Sequence, residues 1–137
     1  MVRALILIAS FVFSVPVIGS GIIEEIELSP NLAEKLGFKI IIGTEGASTM
    51  VEVVGPSNLN KGCLPARSGS FVLDEEGQEV AVYITELTGN ADPPKTVGYI
   101  INGNSLTLGL FIDYFCQKNR ALESRRYTVT SVEAWNS

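Results

Sequence analysis

From Leu106 to Cys116 the chain reads LTLGLFIDYFC, and every second position is apolar or aromatic: Leu106, Leu108, Leu110, Ile112, Tyr114 and Cys116. A period of two is the mark of a strand with one buried face. The other face carries Thr107, Gly109, Phe111, Asp113 and Phe115 and is only partly apolar. A second apolar run begins at Thr96, and Asn102-Gly103 lies between the two. Asn-Gly suits both left-handed positions of a type I′ turn. With that turn, Tyr99 faces Leu106 and Val97 faces Leu108. A slip of one residue would set Gly98 and Ile100 against the leucines and turn Tyr99 outward. Turn chemistry and hydrophobic pattern thus select one register, a central hairpin over Thr96 to Cys116.

The same signals recur along the chain. Ile22 to Leu28 alternates, with Ile22, Ile26 and Leu28 against Glu25 and Glu27, and Glu24 marks it as an edge. Ser29-Pro30 opens a short helix that runs to Leu36, since serine caps and proline suits the first turn. Gly37 supplies the left-handed stop, and Leu32 and Leu36 face the core together. Phe38 to Ile42 and Thr49 to Val54 read as strands, with a turn over Gly43 to Ser48 and Val51 and Val53 on one face. Gly55-Pro56 ends the second. Ser57 to Gly69 is dense in turn formers and reads as the longest loop. Ser70 to Asp74 and Gln78 to Leu87 form a hairpin around a type I turn, with Gly77 at the bulge position and both faces of the second strand partly covered. Gln117 to Arg126 is polar and at most weakly helical. Arg126 to Trp135 is the last strand, with Tyr127 and Val129 on one face. About eight short strands, one short helix and regularly spaced turns predict an all-β fold, an antiparallel β-sandwich or flattened barrel.

The first twenty residues stand apart. Arg3, the apolar run Ala4 to Ile18, Pro16 and the small residues Gly19 and Ser20 together read as a signal peptide over 1–20. The run is short for a membrane span, which takes about 20 apolar residues. Residues 21–137 then form one domain, secreted or periplasmic, with no membrane attachment after cleavage. In such a compartment two cysteines read as a disulfide, Cys63 to Cys116. With 15 acidic and 10 basic residues, net charge −5, a nucleic-acid partner is not expected. The chain has no histidine, which removes the commonest general base and all His-containing metal sets. No cofactor, metal or catalytic residue is assigned.

Tyr114-Phe115-Cys116 resembles the Tyr-x-Cys of the immunoglobulin strand that carries the tyrosine corner, and a terminal strand about ten residues later also fits. The departures are specific. No tryptophan follows Cys63 at the expected distance, since the one tryptophan is Trp135. Leu110 stands where that family usually has an acid. The match covers three residues, so the chain is not assigned to the family, and Tyr114 reads as a core tyrosine with its hydroxyl at the rim.

Basic residues gather near both cysteines: Lys61 and Arg67 around Cys63, and Lys118, Arg120, Arg125 and Arg126 after Cys116. Guanidinium forks bind carboxylates and phosphates, so these six are the candidate binding residues. Glu123 lies among them and could neutralise part of the charge. The acids of Asp74 to Glu79 match no calcium loop. Three functions remain in play. The first is a non-enzymatic binding module whose partner is another protein, or its own copies through an edge strand or the less polar faces. The second is a protease inhibitor that presents the Cys63 to Ser70 loop with Arg67 in it. The third is a histidine-free hydrolase, for which Asp113, alone in its strand, is the most interesting acid.

Overall fold

A computed structural model describes residues 24–60, 62–87, 93–101, 103, 105–118 and 121–130. In chain order the elements are β1 (Glu24–Glu27), α1 (Pro30–Leu36), β2 (Lys39–Glu45), β3 (Ser48–Val54), β4 (Cys63–Leu73), β5 (Glu79–Glu86), β6 (Lys95–Ile101), β7 (Thr107–Lys118) and β8 (Ala121–Val129). They form two packed sheets, one of five strands in the order β1-β8-β7-β4-β5 and one of three in the order β2-β3-β6. The all-β sandwich with one short helix is therefore the observed architecture. All described pairings are antiparallel except β1 with β8, which is parallel and lies at an edge.

Local chemistry explains the elements that the sequence placed well. Ser29 caps α1 by accepting from the Leu32 amide at 3.2 Å, Pro30 opens the helix, and Gly37 ends it at φ +91°. Ala33 is the fully buried helix residue, with Leu32 and Leu36 packed against the core beside it. In the β4–β5 turn the Asp74 carboxylate accepts from the amides of Glu76 and Gln78, and Gly77 sits at φ +81°. The β2–β3 turn is tighter than read. Its strands pair as far as Glu45 and Ser48, and Gly46 carries the positive φ. Val51 and Val53 point inward and are buried.

The central hairpin is not formed. β6 pairs with β3 in the small sheet, whereas β7 pairs with β4 and β8 in the large one. The chain after Ile101 therefore crosses between layers. Asn102 lies outside the described residues, and Gly103 has the left-handed φ, +86°. The side-chain parity is also the reverse of the one favoured. Gly98 meets the leucines and Tyr99 points out. A Cβ on Gly98 would fall 2.6 Å from Leu108 and 3.0 Å from Leu110, so glycine is what lets the sheets approach here. The alternation in β7 did identify an inward face. Its partner is the opposite layer rather than a neighbouring strand.

Two further stretches differ from expectation. Most of Ser57 to Gly69 is not loop. β4 starts at Cys63, after a tight reversal in which Leu59 and Cys63 exchange two backbone hydrogen bonds of 3.0 Å and Asn60 takes φ +51°. Pro65 is accommodated where the β4–β7 register shifts between Pro65 and Arg67. Ala121 to Arg126 is strand rather than weak helix, because β8 pairs with β7 along its whole length. The segment beyond Thr130, including Trp135, lies outside the described residues, as do residues 1–20 and Ile22.

The core between the sheets is built on Leu110, Ile112, Tyr114, Tyr127, Val129, Val51, Val53 and Phe38. Tyr114 is edge-on to both Phe38 and Tyr127, with ring centroids 5.9 and 5.7 Å away. Its hydroxyl donates to the Pro56 carbonyl at 2.8 Å, and burial pushes its phenol above the ordinary range. This long-range bond differs from a tyrosine corner, which closes on backbone a few residues upstream. Cys63 and Cys116 face each other across β4 and β7 and are bonded, Cα to Cα 4.0 Å. The bridge thus lies within one sheet, whereas the immunoglobulin bridge joins two.

Candidate functional site

The outer face of the large sheet is built from cross-strand pairs. Gly69 lies opposite Phe111, and Phe71 lies opposite Gly109. Each ring lies across the glycine facing it, and the rings stack at 6.3 Å. An aromatic laid over a glycine restores the packing that glycine lacks in a strand.

Next to these rings is a row of charge. Glu86 of β5, Arg67 of β4, Asp113 of β7, Arg126 of β8 and Glu25 of β1 occupy successive register positions across all five strands. Their signs alternate. Asp113 is the centre, fully buried although it is on the outer face. Arg126 grips it bidentately, Nε donating to Oδ1 at 2.7 Å and Nη2 to Oδ2 at 3.0 Å. The same guanidinium lies 3.8 Å over the Phe111 ring. Arg67 approaches from the other side with Nε 3.3 Å from Oδ2 and its guanidinium 5.6 Å over Phe115. Opposite charges directly across a strand pair stabilise that pairing, so the row favours one sheet register.

This arrangement places the candidate binding residues individually. Arg67 and Arg126 converge on Asp113. Arg125 is directed to Glu24 at 3.9 Å and Glu123 at 3.7 Å. Lys118 ends β7 opposite Ala121, while Lys61 and Arg120 lie outside the described residues. The Cys63 to Ser70 inhibitory loop is corrected outright. That segment is strand β4, hydrogen-bonded to β7, and its residues from Arg67 onward also pair with β5. A protease could not take it as an extended loop without dismantling the sheet. Asp113, the acid considered for a hydrolase, has both carboxylate oxygens engaged by arginine.

A different surface emerges at the flank where the sheets end. β5 pairs with β4 on one side, and among the described residues no strand pairs with its other edge. Every residue of β5 is exposed, including Val80, Val82, Tyr83 and Ile84. The expected partial cover on both faces is absent. Beside it, β6 ends the small sheet among the described residues and turns Val97, Tyr99 and Ile101 outward. A shallow apolar crevice of about 120 Å³ opens here, lined by Val72, Tyr99, Ile100, Ile101, Leu106 and Leu108. It contains no carboxylate. Sequence reasoning expected contact through an edge strand or a less polar face but did not identify β5 as that edge. The signal was present in EVAVYITE, whose charges stand only at its ends.

Among the described residues, no group of Cys, Asp and Glu side chains is arranged to hold a metal ion, and no helix is long and apolar enough to cross a membrane. No protein-family model matches the chain, and no curated protein matches it either.

Proposed function

We propose that this is a small exported binding domain that works by contact, adding an extended segment of a protein partner to the open edge of β5. The observation that carries this reading is the state of that edge. Natural edges are blunted by shortness, charge, proline or bulges. β1 is four residues long with three glutamates, and β2 carries charge at both ends, Lys39 and Glu45, with Gly43 between them. β5 has six consecutive uncharged residues between Glu79 and Glu86, and its one register shift touches only its start. Such an edge offers unpaired amides and carbonyls with apolar side chains on either face. Strand-addition domains use these groups for affinity and for specificity respectively. The disulfide agrees with an oxidising compartment, where β4 and β7 stay locked behind the edge.

The test is capture from the extracytoplasmic fraction with the wild-type domain and with Val82→Lys as paired baits. Val82 is exposed, so the lysine leaves the core intact. Partners that the wild type retains and the variant loses support strand addition. Identical capture by both baits refutes it.

A further inference from the structure

We infer that one occupant of the β5 edge is β6 of a second copy of this chain. The inference rests on the strand-addition reading above and names the partner. Its basis is complementarity of charge and pattern between two open edges. Set β6 antiparallel to β5 with Lys95 of one copy opposite Glu86 of the other. Val97 then falls opposite Ile84, and Tyr99 opposite Val82. All six side chains belong to the outer faces of their own sheets, so the faces match when the sheets join. On the inner side the same register brings Tyr83 opposite Gly98, the largest side chain against the smallest. The alternating row that ends at Glu86 gains its next cation in Lys95.

The register is selective. Sliding by two residues sets Lys95 opposite Ile84 in one direction, and Glu86 opposite Val97 in the other. Either shift buries a charge against an apolar residue. Within one chain β5 and β6 belong to different sheets, so the pairing is made between molecules. Such an interface is heterologous: each copy offers β5 to one neighbour and β6 to another. Repetition gives a ring if the rotation closes and a filament if it does not.

The experiment has two arms on the full mature domain. In the first, Val82→Cys and Tyr99→Cys variants are oxidised separately and as a mixture. The inference expects a cross-linked heterodimer in the mixture and little product from either variant alone. The native cysteines are buried and bonded to each other and do not compete. In the second arm, sedimentation follows association of wild type, Lys95→Glu, Glu86→Lys and the double variant. Each single change weakens association roughly tenfold by setting like charges face to face, and the double swap restores it. A wild type that stays monomeric overturns the inference, as does a swap that restores nothing. A chain carrying both Val82→Cys and Tyr99→Cys is oxidised alongside the single-cysteine variants; if it alone links, and within one molecule, the two edges close on each other and the inference also fails. Loss of partner capture by Val82→Lys in a protein that remains monomeric would leave strand addition standing and remove only self-assembly.

Discussion

Replacing Asp113 by alanine tests the charge row at its centre. Breaking a buried ion pair from one side costs about 3–5 kcal/mol, because the remaining charge is left without a partner. Here two guanidiniums would be left, but the Arg67 and Arg126 side chains keep 24% and 16% of their exposure. Water can reach part of each, so the loss for Asp113→Ala belongs at the low end, about 3 kcal/mol. Arg126→Ala removes two aligned charge-assisted hydrogen bonds and a guanidinium on Phe111, while Arg67 remains to balance Asp113. That loss is about 2 kcal/mol. Arg67→Ala removes an ion pair whose buried Nε makes no hydrogen bond, and costs about 1 kcal/mol. The assay is urea unfolding followed by far-ultraviolet circular dichroism, with the m-value checked for constancy. A double-mutant cycle should give stronger coupling of Asp113 to Arg126 than to Arg67. Arg67→Ala costing more than Arg126→Ala would refute this ordering. An Asp113→Ala protein as stable as wild type would refute the buried row as a source of stability.

Three other outcomes are expected. Replacing Cys63 and Cys116 together by alanine should lower stability by about 4 kcal/mol, the loop-closure value for a sequence separation of 53, read from the shift in urea midpoint. Gly109→Ala puts a methyl group into the Phe71 ring and should cost about 1–3 kcal/mol, part of it recovered when Phe71→Leu is added. Additive costs would show that ring and glycine do not touch. Because burial raises the Tyr114 phenol above its ordinary value near 10, the folded state holds that proton more tightly than the unfolded chain. Its contribution is complete below about pH 10 and declines as pH rises further, so an alkaline titration should show stability falling there, with a shallower fall for Tyr114→Phe.

What could be read from the sequence was set by local chemistry. Ser29-Pro30 and Gly37 bound a helix because capping depends on neighbours in the chain. Asp74 to Gly77 makes its turn for the same reason. The parity of Val51 and Val53, the inward face of β7 and the Cys63–Cys116 pair were also legible. The errors share one cause, the choice of a distant partner. Asn102-Gly103 announces a reversal but does not name the strand that lies beside Tyr99. Gly62, Pro65 and Gly69 looked like loop, yet Gly69 is the space into which Phe111 fits, and Phe111 is 42 residues away. The charges of Arg125 and Arg126 argued against a strand until Glu24 and Asp113 were seen beside them. The alternating row was hidden most thoroughly. Glu25, Arg67, Glu86, Asp113 and Arg126 become neighbours only when four separate registers are known.

The position of the disulfide has a consequence for durability. Everything from β4 to β7 lies between the two bonded cysteines, including β6 from the opposite layer. A peptide bond cut anywhere in that interval leaves the two halves joined through sulfur. A single nick made there by a protease would show as two bands on a reducing gel and one on a non-reducing gel.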